Sequence, residues 1–318
     1  VKILVTGAFG NVGCAFAKEV AGRGHDVVYF DLDTKANRKN AAKSGVPVVW
    51  GDITDAAAVR AAVTGRDAVV HLAAVIPPAS IHRPDVAEKV NVRGTRNVIA
   101  ACQAQPTPPR LAFASSVALF GPTQHLDPPR TLDDPINATD DYTRHKAECE
   151  RMLHESGLDV AILRLGAVIP LDVFGVLDPL MFEVPLTDRL EFVHPWDVAL
   201  AFIHAVESDE VWGRTFLIGG GPRCQIYERE IVNGPLEALG IGALPDEAFG
   251  TTPFQIDWLD TTESQKVLQY QRYDFDDCIG HMLERVGWRR PFVRLARPIA
   301  RWRLLSVSPY YKAAKRSR

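Results

Sequence analysis

Tyr142-Thr143-Arg144-His145-Lys146 sets a phenol and an amine four residues apart. On a helix that spacing puts both side chains on one face, and the pattern from Ala147 to Leu153 is helical. A lysine cation beside a phenol favours the phenolate. It would lower the usual tyrosine pKa of about 10 and let the hydroxyl exchange a proton near neutral pH. A third group must then hold the reacting oxygen. Ser115 and Ser116 close the apolar run RLAFASS that begins at Arg110, and Ser116 is expected to bond that oxygen unless Ser115 is the one facing inward.

A second constellation is shaped for a dinucleotide. Thr6-Gly7-Ala8-Phe9-Gly10-Asn11-Val12-Gly13 follows an apolar strand and opens a helix. Gly7 permits the sharp turn, Gly10 lets the backbone approach a pyrophosphate, and Gly13 allows close packing of helix on strand. Phe9, Asn11 and Val12 lie where free N–H groups and the helix dipole would meet phosphate. Asp31, about 20 residues further on, can accept both hydroxyls of a ribose and would repel a 2'-phosphate, so NAD is the expected cofactor. Arg38 and Lys39 follow in a segment that could fold over a 2'-phosphate, which leaves NADP open, and Asp33 takes the role of Asp31 if the strand ends later. Asp52, in GDITD, is placed to accept from an adenine amino group, with Ile53 packing on the ring.

The elements that must position these groups follow from the apolar rhythm. Runs beginning at Lys2, Asp26, Val46, Asp67, Arg110 and Asp159 are short, β-branched and apolar on both faces, and helical segments separate them. This predicts an α/β fold with a doubly wound parallel Rossmann sheet over residues 1–170. A helix from Val198 to Glu207 and a strand from Thr215 to Ile218 would complete it at about residues 190–220. Residues 171–318 are expected to form a smaller substrate-binding region, irregular beyond the last strand. The chain has 318 residues, 47% of them hydrophobic and 24% charged, so it can bury a full core, and disorder is not expected. The five cysteines are scattered with no C-x-x-C pair, so no metal site is expected. The sequence opens on an apolar strand rather than a basic leader and has no run long enough to span a bilayer, which predicts a cytoplasmic location.

Charge is distributed unevenly. Residues 285–318 carry eleven Lys/Arg and no Asp/Glu, and the formal net charge of −3 therefore leaves about −14 on residues 1–284. Within this tail Phe292, Leu295, Ile299 and Trp302 recur at helical spacing among Arg294, Arg297, Arg301 and Arg303, with Pro298 expected to kink or split the helix. Three roles are compatible with that pattern: packing on the acidic body, reversible contact with an anionic membrane, or docking of an anionic carrier of the substrate. Nucleic acid is not an expected partner, because no recognised binding fold accompanies the charge.

Taken in order, TGAFGNVG, Asp31, HLAA at His71 to Ala74, Asn91 in NVRGT, FASSVALFG, YTRHK and FVHPWDVA at Phe192 to Ala199 resemble the extended short-chain dehydrogenases/reductases. The likeness is to the NAD-dependent epimerase/dehydratase family and covers about residues 1–220. It implies that Ser116, Tyr142 and Lys146 are catalytic, that Lys146 also holds the nicotinamide ribose, and that Asn91 supports the lysine or a bound water. Leu72, Ala73 and Ala74 would line the cofactor cleft. His194 and Asp197 would be structural, with Asp197 suited to cap the following helix. A homodimer formed through the helices bearing the Asn and Tyr motifs is also implied.

The residues around this set narrow the reaction. Sugar dehydratases resembling this family carry Asp and Glu directly after the catalytic hydroxyl residue, where this chain has Val117 and Ala118. An apolar pair cannot move the protons that elimination of water requires. The connection from Arg164 to Phe192 is short beside that of similar sugar-nucleotide epimerases. Ile76, Pro77, Pro78, Val168, Ile169, Val173 and Phe174 predict an apolar pocket margin. The expectation is thus an NAD(P)-dependent reductase or dehydrogenase for a largely apolar small molecule. A sugar-nucleotide epimerase and a non-catalytic cofactor-binding protein are the alternatives.

Overall fold

The computed structural model describes residues 1–172 and 178–316, so Val173 and Phe174 of the expected pocket margin lie outside the described residues. The strands are β1 (Lys2–Thr6), β2 (Asp26–Asp31), β3 (Val48–Trp50), β4 (Ala68–His71), β5 (Arg110–Ser116), β6 (Val160–Leu165), β7 (Arg189–Glu191), β8 (Arg214–Ile218) and β9 (Gln225–Tyr227). Seven of them form a parallel sheet in the order β3-β2-β1-β4-β5-β6-β8. The order reverses between β1 and β4, and a ligand crevice forms outside the carboxyl ends of strands at such a point.

Alternation along each strand explains both helical layers. Ile3, Val5, Tyr29, Val70, Ala112 and Leu163 point to one face, and Leu4, Val28, Phe30, Val69, Leu111 and Ile162 to the other. The helices of the first half are α1 (Asn11–Val20), α2 (Lys35–Ser44), α3 (Ala56–Val63), α4 (Ala79–His82), α5 (Pro84–Glu88), α6 (Gly94–Gln103) and α7 (Asp141–His154). Those beyond are α8 (Pro195–Glu207), α9 (Glu228–Ala238), α10 (Thr262–Leu268), α11 (Phe275–Val286), α12 (Arg290–Leu295), α13 (Arg297–Val307) and α14 (Pro309–Arg316). Phe16 of α1 and Phe202 of α8 cover the first face, while Val59 of α3, Val98 of α6 and Leu153 of α7 cover the second. The sheet and both layers are thus the doubly wound arrangement expected from the sequence.

Two expectations need correction. The segment after β8 is not irregular: it forms helices α9 to α14, of which α9 and α11 to α14 share a core that includes Phe182, Leu239, Phe249 and Leu304, while Leu268 of α10 packs with α8 against the sheet. Pro235 inside α9 masks the periodicity of that helix, while α12 and α13 are the tail helix expected from the sequence, divided just before Pro298. Helix α8 also begins a turn earlier than expected. Pro195 takes its first position, where proline lacks only an N–H that would be unpaired anyway. The cap is His194, whose Nδ1 accepts from Trp196 N at 3.2 Å. Asp197 lies inside the helix and instead accepts from the backbone N–H groups of Arg272 and Tyr273, at 2.9 and 3.0 Å.

Candidate active site

The glycine turn is locked by backbone contacts. Gly7 adopts φ +67°, and a Cβ placed on it would lie 2.6 Å from the Cα of Ala73, so the turn after β1 is pressed against the chain leaving β4. At Gly13 a Cβ would sit 2.5 Å from the carbonyl oxygen of Ala8, which fixes how closely α1 follows the strand. Gly10 precedes α1 with no side-chain cap, leaving the first N–H groups of Asn11, Val12 and Gly13 to face a ligand.

Gly7, Phe9, Gly10, Asp31, Asp52, Ile53, Leu72, Ala73 and Ala74 line one cleft of about 520 Å³, within the range of small-molecule sites. Asp31 stands at its edge, already oriented. Its Oδ2 accepts from Phe9 N at 2.9 Å, and its Oδ1 from Leu32 N at 2.7 Å and Asn37 Nδ2 at 3.2 Å. Three of the four carboxylate lone pairs are thus engaged, and the one left on Oδ2 can accept a ribose hydroxyl. Asp33 is not the alternative, because both its oxygens are held by Arg38 at 2.6 Å. Arg38, exposed and resting near the Trp50 ring, is thereby tied beside the cleft rather than over it. Asp52 turns Oδ1 toward the N–H and hydroxyl of Thr54, both at 2.8 Å.

Asn37, Val75, Arg83 and Val90 also line the cleft and were not anticipated. Asn37 follows the capping residue Thr34 by three positions, so a helix N-terminus right after Asp31 was the signal that could have found it. Asn11 lies on the opposite side of the turn, where its Nδ2 donates to Val168 O at 3.3 Å.

The expected chemical groups come from two elements. β5 delivers Ser116 at its carboxyl end, and α7 carries Tyr142 and Lys146, its start fixed by a capping box between Asp140 and Thr143. The choice between the serines is clear. Ser115 donates to Glu150 at 2.5 Å, and Glu150 is clamped by Arg164 at 2.7 and 3.0 Å, so Ser115 belongs to a buried structural network. The Ser116 hydroxyl sits beside the Tyr142 phenol. Lys146 is buried, with Nζ donating to Ala114 O at 2.6 Å and lying 5.9 Å from the centre of the Tyr142 ring.

The electrostatics differ from the expectation that the lysine lowers the phenol. Loss of surrounding water pushes Tyr142 up to about 12, against the opposing hydrogen bond with Ser116. Burial likewise pushes Lys146 down to about 8, so the amine has a weakened hold on the charge it would use to act on its neighbour. Asn91 is tied to the chain leaving β4. It lies in a π-helical turn between α5 and α6, and its side chain is occupied by Val75, accepting from its N at 2.7 Å and donating to its O at 2.9 Å. These bonds fix the cleft wall at Val75. The Asn91 backbone oxygen accepts from the Cys149 thiol at 3.1 Å.

His71 is a structural residue of the same floor. It pairs with Thr6 Oγ1 at 2.7 Å and Thr95 Oγ1 at 3.0 Å, and burial followed by the charge of Lys146 pushes it down to about 3. Beyond β5, Val117 is buried and the Ala118 N–H donates to Ser116 Oγ at 3.2 Å, so no acid or base follows the serine. Among the described residues no group of three or more His, Cys, Asp or Glu is placed to hold a metal ion.

Residues 3–219 match the NAD dependent epimerase/dehydratase family. The 3 beta-hydroxysteroid dehydrogenase/Delta 5→4-isomerase of Mycobacterium tuberculosis is 27% identical over 95% of this chain and 74% of its own length. An uncharacterised protein of Sinorhizobium fredii is 31% identical over 64% of the chain, a match that spans 52% of that relative. The 2-alkyl-3-oxoalkanoate reductase of Stenotrophomonas maltophilia is 36% identical over a shorter stretch, 39% of this chain and 36% of its own. In fold, the chain is similar to a short-chain dehydrogenase/reductase superfamily protein of Agrobacterium tumefaciens with bound NAD. That likeness has a TM-score of 0.73 at 21% identity and covers 95% of this chain and all of the other. The chain belongs to the NAD-dependent epimerase/dehydratase family.

Proposed function

We propose that the protein is an NAD-dependent dehydrogenase or reductase acting on a secondary alcohol or ketone of a largely apolar small molecule. The observation that carries this reading is the meeting of Ser116 and Tyr142 at the carboxyl end of β5, with Lys146 one helical turn behind on α7. The residues present fit the cofactor: the glycine turn leads into the uncapped N-terminus of α1, and Asp31, oriented by Phe9 N and Asn37, keeps an acceptor site for a ribose hydroxyl. Bound there, nicotinamide would supply or accept the hydride. Tyr142 would exchange the proton with the substrate oxygen, and the Ser116 hydroxyl would polarise the carbonyl. Lys146 would bond the nicotinamide ribose and keep the phenol in place.

Two features favour NAD over NADP: the carboxylate of Asp31 at the ribose end, and Arg38 held by Asp33 away from a 2'-phosphate. The apolar class of substrate is supported by the hydroxysteroid dehydrogenase and the alkyl-oxoalkanoate reductase among the relatives. The apolar pair after Ser116 weighs against dehydration. The test is a panel of hydroxysteroids, aliphatic secondary alcohols and their ketones, followed by absorbance of the reduced nicotinamide, with UDP-sugars in parallel. Turnover of an apolar alcohol or ketone with NAD supports the reading. Conversion of a UDP-sugar with no net NADH, and no turnover of the apolar panel, would replace it with an epimerase.

A further inference from the structure

The C-terminal helices settle one of the tail's three expected roles. One side of α12, α13 and α14 does pack on the body: Val293, Ala300, Leu304, Leu305 and Tyr310 join the core of Phe182, Leu239 and Phe249. Arg301 Nη1 donates to the carbonyl oxygens of Gly242 and Ala243 at 2.8 and 2.6 Å, and Ser308 donates to Ala248 O at 2.6 Å. The tail is therefore anchored by a complete inner face.

A second face remains in water. Trp288, Phe292, Leu295, Ile299 and Trp302 are between 61% and 82% exposed, and among the described residues no other large apolar side chain exceeds 56%. Their spacing of four, three, four and three residues makes one stripe, about 20 Å long at helical rise. Pro298 interrupts the helix without breaking the stripe, because α13 restarts at once. A contiguous exposed apolar patch of this kind marks an interaction surface.

The stripe lies in a cationic stretch of chain, from which Arg294, Arg297 and Arg301 turn back to Gly240 and Gly242 of the body. Ten lysines and arginines lie from Arg285 to Arg316 with no carboxylate among them, and among the described residues none of the ten forms an ion pair. A face that combines tryptophan, leucine and unpaired arginine is complementary to a surface that is apolar beneath and anionic on top.

We propose that this face binds the surface of an anionic lipid bilayer. Trp288, Phe292, Leu295, Ile299 and Trp302 would enter the boundary between headgroups and acyl chains. Arg289, Arg290, Arg303, Lys312 and Lys315 would meet the phosphates. The contact is peripheral, since no helix of the described residues is long and apolar enough to cross a membrane. It does not depend on the catalytic reading, because the inner face holds the tail whether or not the enzyme turns over.

The experiment is co-sedimentation of the full chain with vesicles of equal parts phosphatidylcholine and phosphatidylglycerol, and with phosphatidylcholine alone. The chain should pellet with the mixed vesicles at low salt, bind the neutral ones at least about tenfold more weakly, and be released by high salt. Leu295→Ser and Trp302→Ser should each weaken binding roughly tenfold, and Arg289→Gln and Arg303→Gln each about fivefold. All four variants should keep the parent's thermal transition, because the altered side chains face outward. No pelleting with anionic vesicles at low salt would overturn the proposal, as would equal binding to neutral vesicles or unchanged binding of Trp302→Ser. If sedimentation velocity instead shows a dimer that these variants dissociate, and vesicles capture nothing, the face is a contact between copies and the proposal fails.

Discussion

The cofactor half and the C-terminal lobe are held together in different ways. Around Gly7 the geometry is set by backbone against backbone: a turn at φ +67°, a strand end at Ala73 and a helix start at Asn11. Few side chains decide it. In the lobe the decisive contacts are side chains reaching across long sequence separations. Asp257 accepts from Arg189 at 2.8 and 3.1 Å and from Thr123 at 2.9 Å, with Arg130 at 3.5 Å. Glu191 accepts from Leu259 N, Gly221 N and Gln225, and burial raises its carboxyl above the usual range. A backbone-built site varies little with the side chains around it, whereas a lobe tied by buried carboxylates can be re-shaped by a few substitutions.

The largest effect should come from breaking the lobe's central tie. Asp257→Ala leaves Arg130 and Arg189 without their buried partner, and should lower stability by about 3–5 kcal/mol in chemical denaturation. The fragment that unfolds first should be the lobe, with NADH binding persisting below the main transition. Gly7→Ala is its counterpart in the other half. A side chain at positive φ, driven against the Ala73 backbone, should cost about 2–3 kcal/mol and abolish NADH binding, which titration calorimetry would show. Equal loss of cofactor binding in both variants would dissolve the distinction between the halves.

A titrating group sharpens the comparison further. Burial, and then the charge of Asp188, push Glu228 up to about 8 from a usual 4.5. The folded chain thus keeps a proton that the unfolded chain releases, and stability contributed by this site falls as pH rises from about 4.5 to about 8. Glu228→Gln should match the parent near pH 4 and exceed it by about 1–2 kcal/mol near pH 9, the full linkage being softened by relaxation of the site. Parallel pH profiles of melting temperature for the two proteins would contradict this assignment. Smaller still is the effect at the ribose end. The parent should bind NADH more tightly than NADPH, and Asp31→Ala should shrink that preference by about 1 kcal/mol, or roughly fivefold.

The difference between the halves also explains what could be read from the chain. Gly7, Gly10, Asp31 and the Tyr142 to Lys146 pair are local signals, each defined by its neighbours and by one strand or helix. The sheet followed from alternation in runs such as KILVT and AVVH, which both have apolar residues facing each layer. Asn91 was legible as a functional position, yet its bond to Val75 depends on how the chain leaves β4, which no local pattern records. Asp197 has the residue type of a cap, and the preceding Pro195 and His194 displaced it from that role. The direction of the Tyr142 shift was missed because burial, a property of the assembled fold, dominates it and outweighs the opposing hydrogen bond with Ser116. The tail helix around Pro298 was legible and forms α12 and α13; α9 was missed because Pro235 interrupts it, whereas α11 carries a capping box at Asp274 and buried Phe275, Cys278, Met282 and Val286 at helical spacing, a signal that could have found it.

The central claim is that Tyr142 moves the proton while the glycine cleft holds the cofactor. The measurement that addresses it directly compares Tyr142→Phe with the parent, using a substrate found in the panel and a fluorescence titration of NADH on the same samples. The account predicts unchanged NADH affinity and turnover lower by about two orders of magnitude or more. Normal turnover by Tyr142→Phe would contradict it.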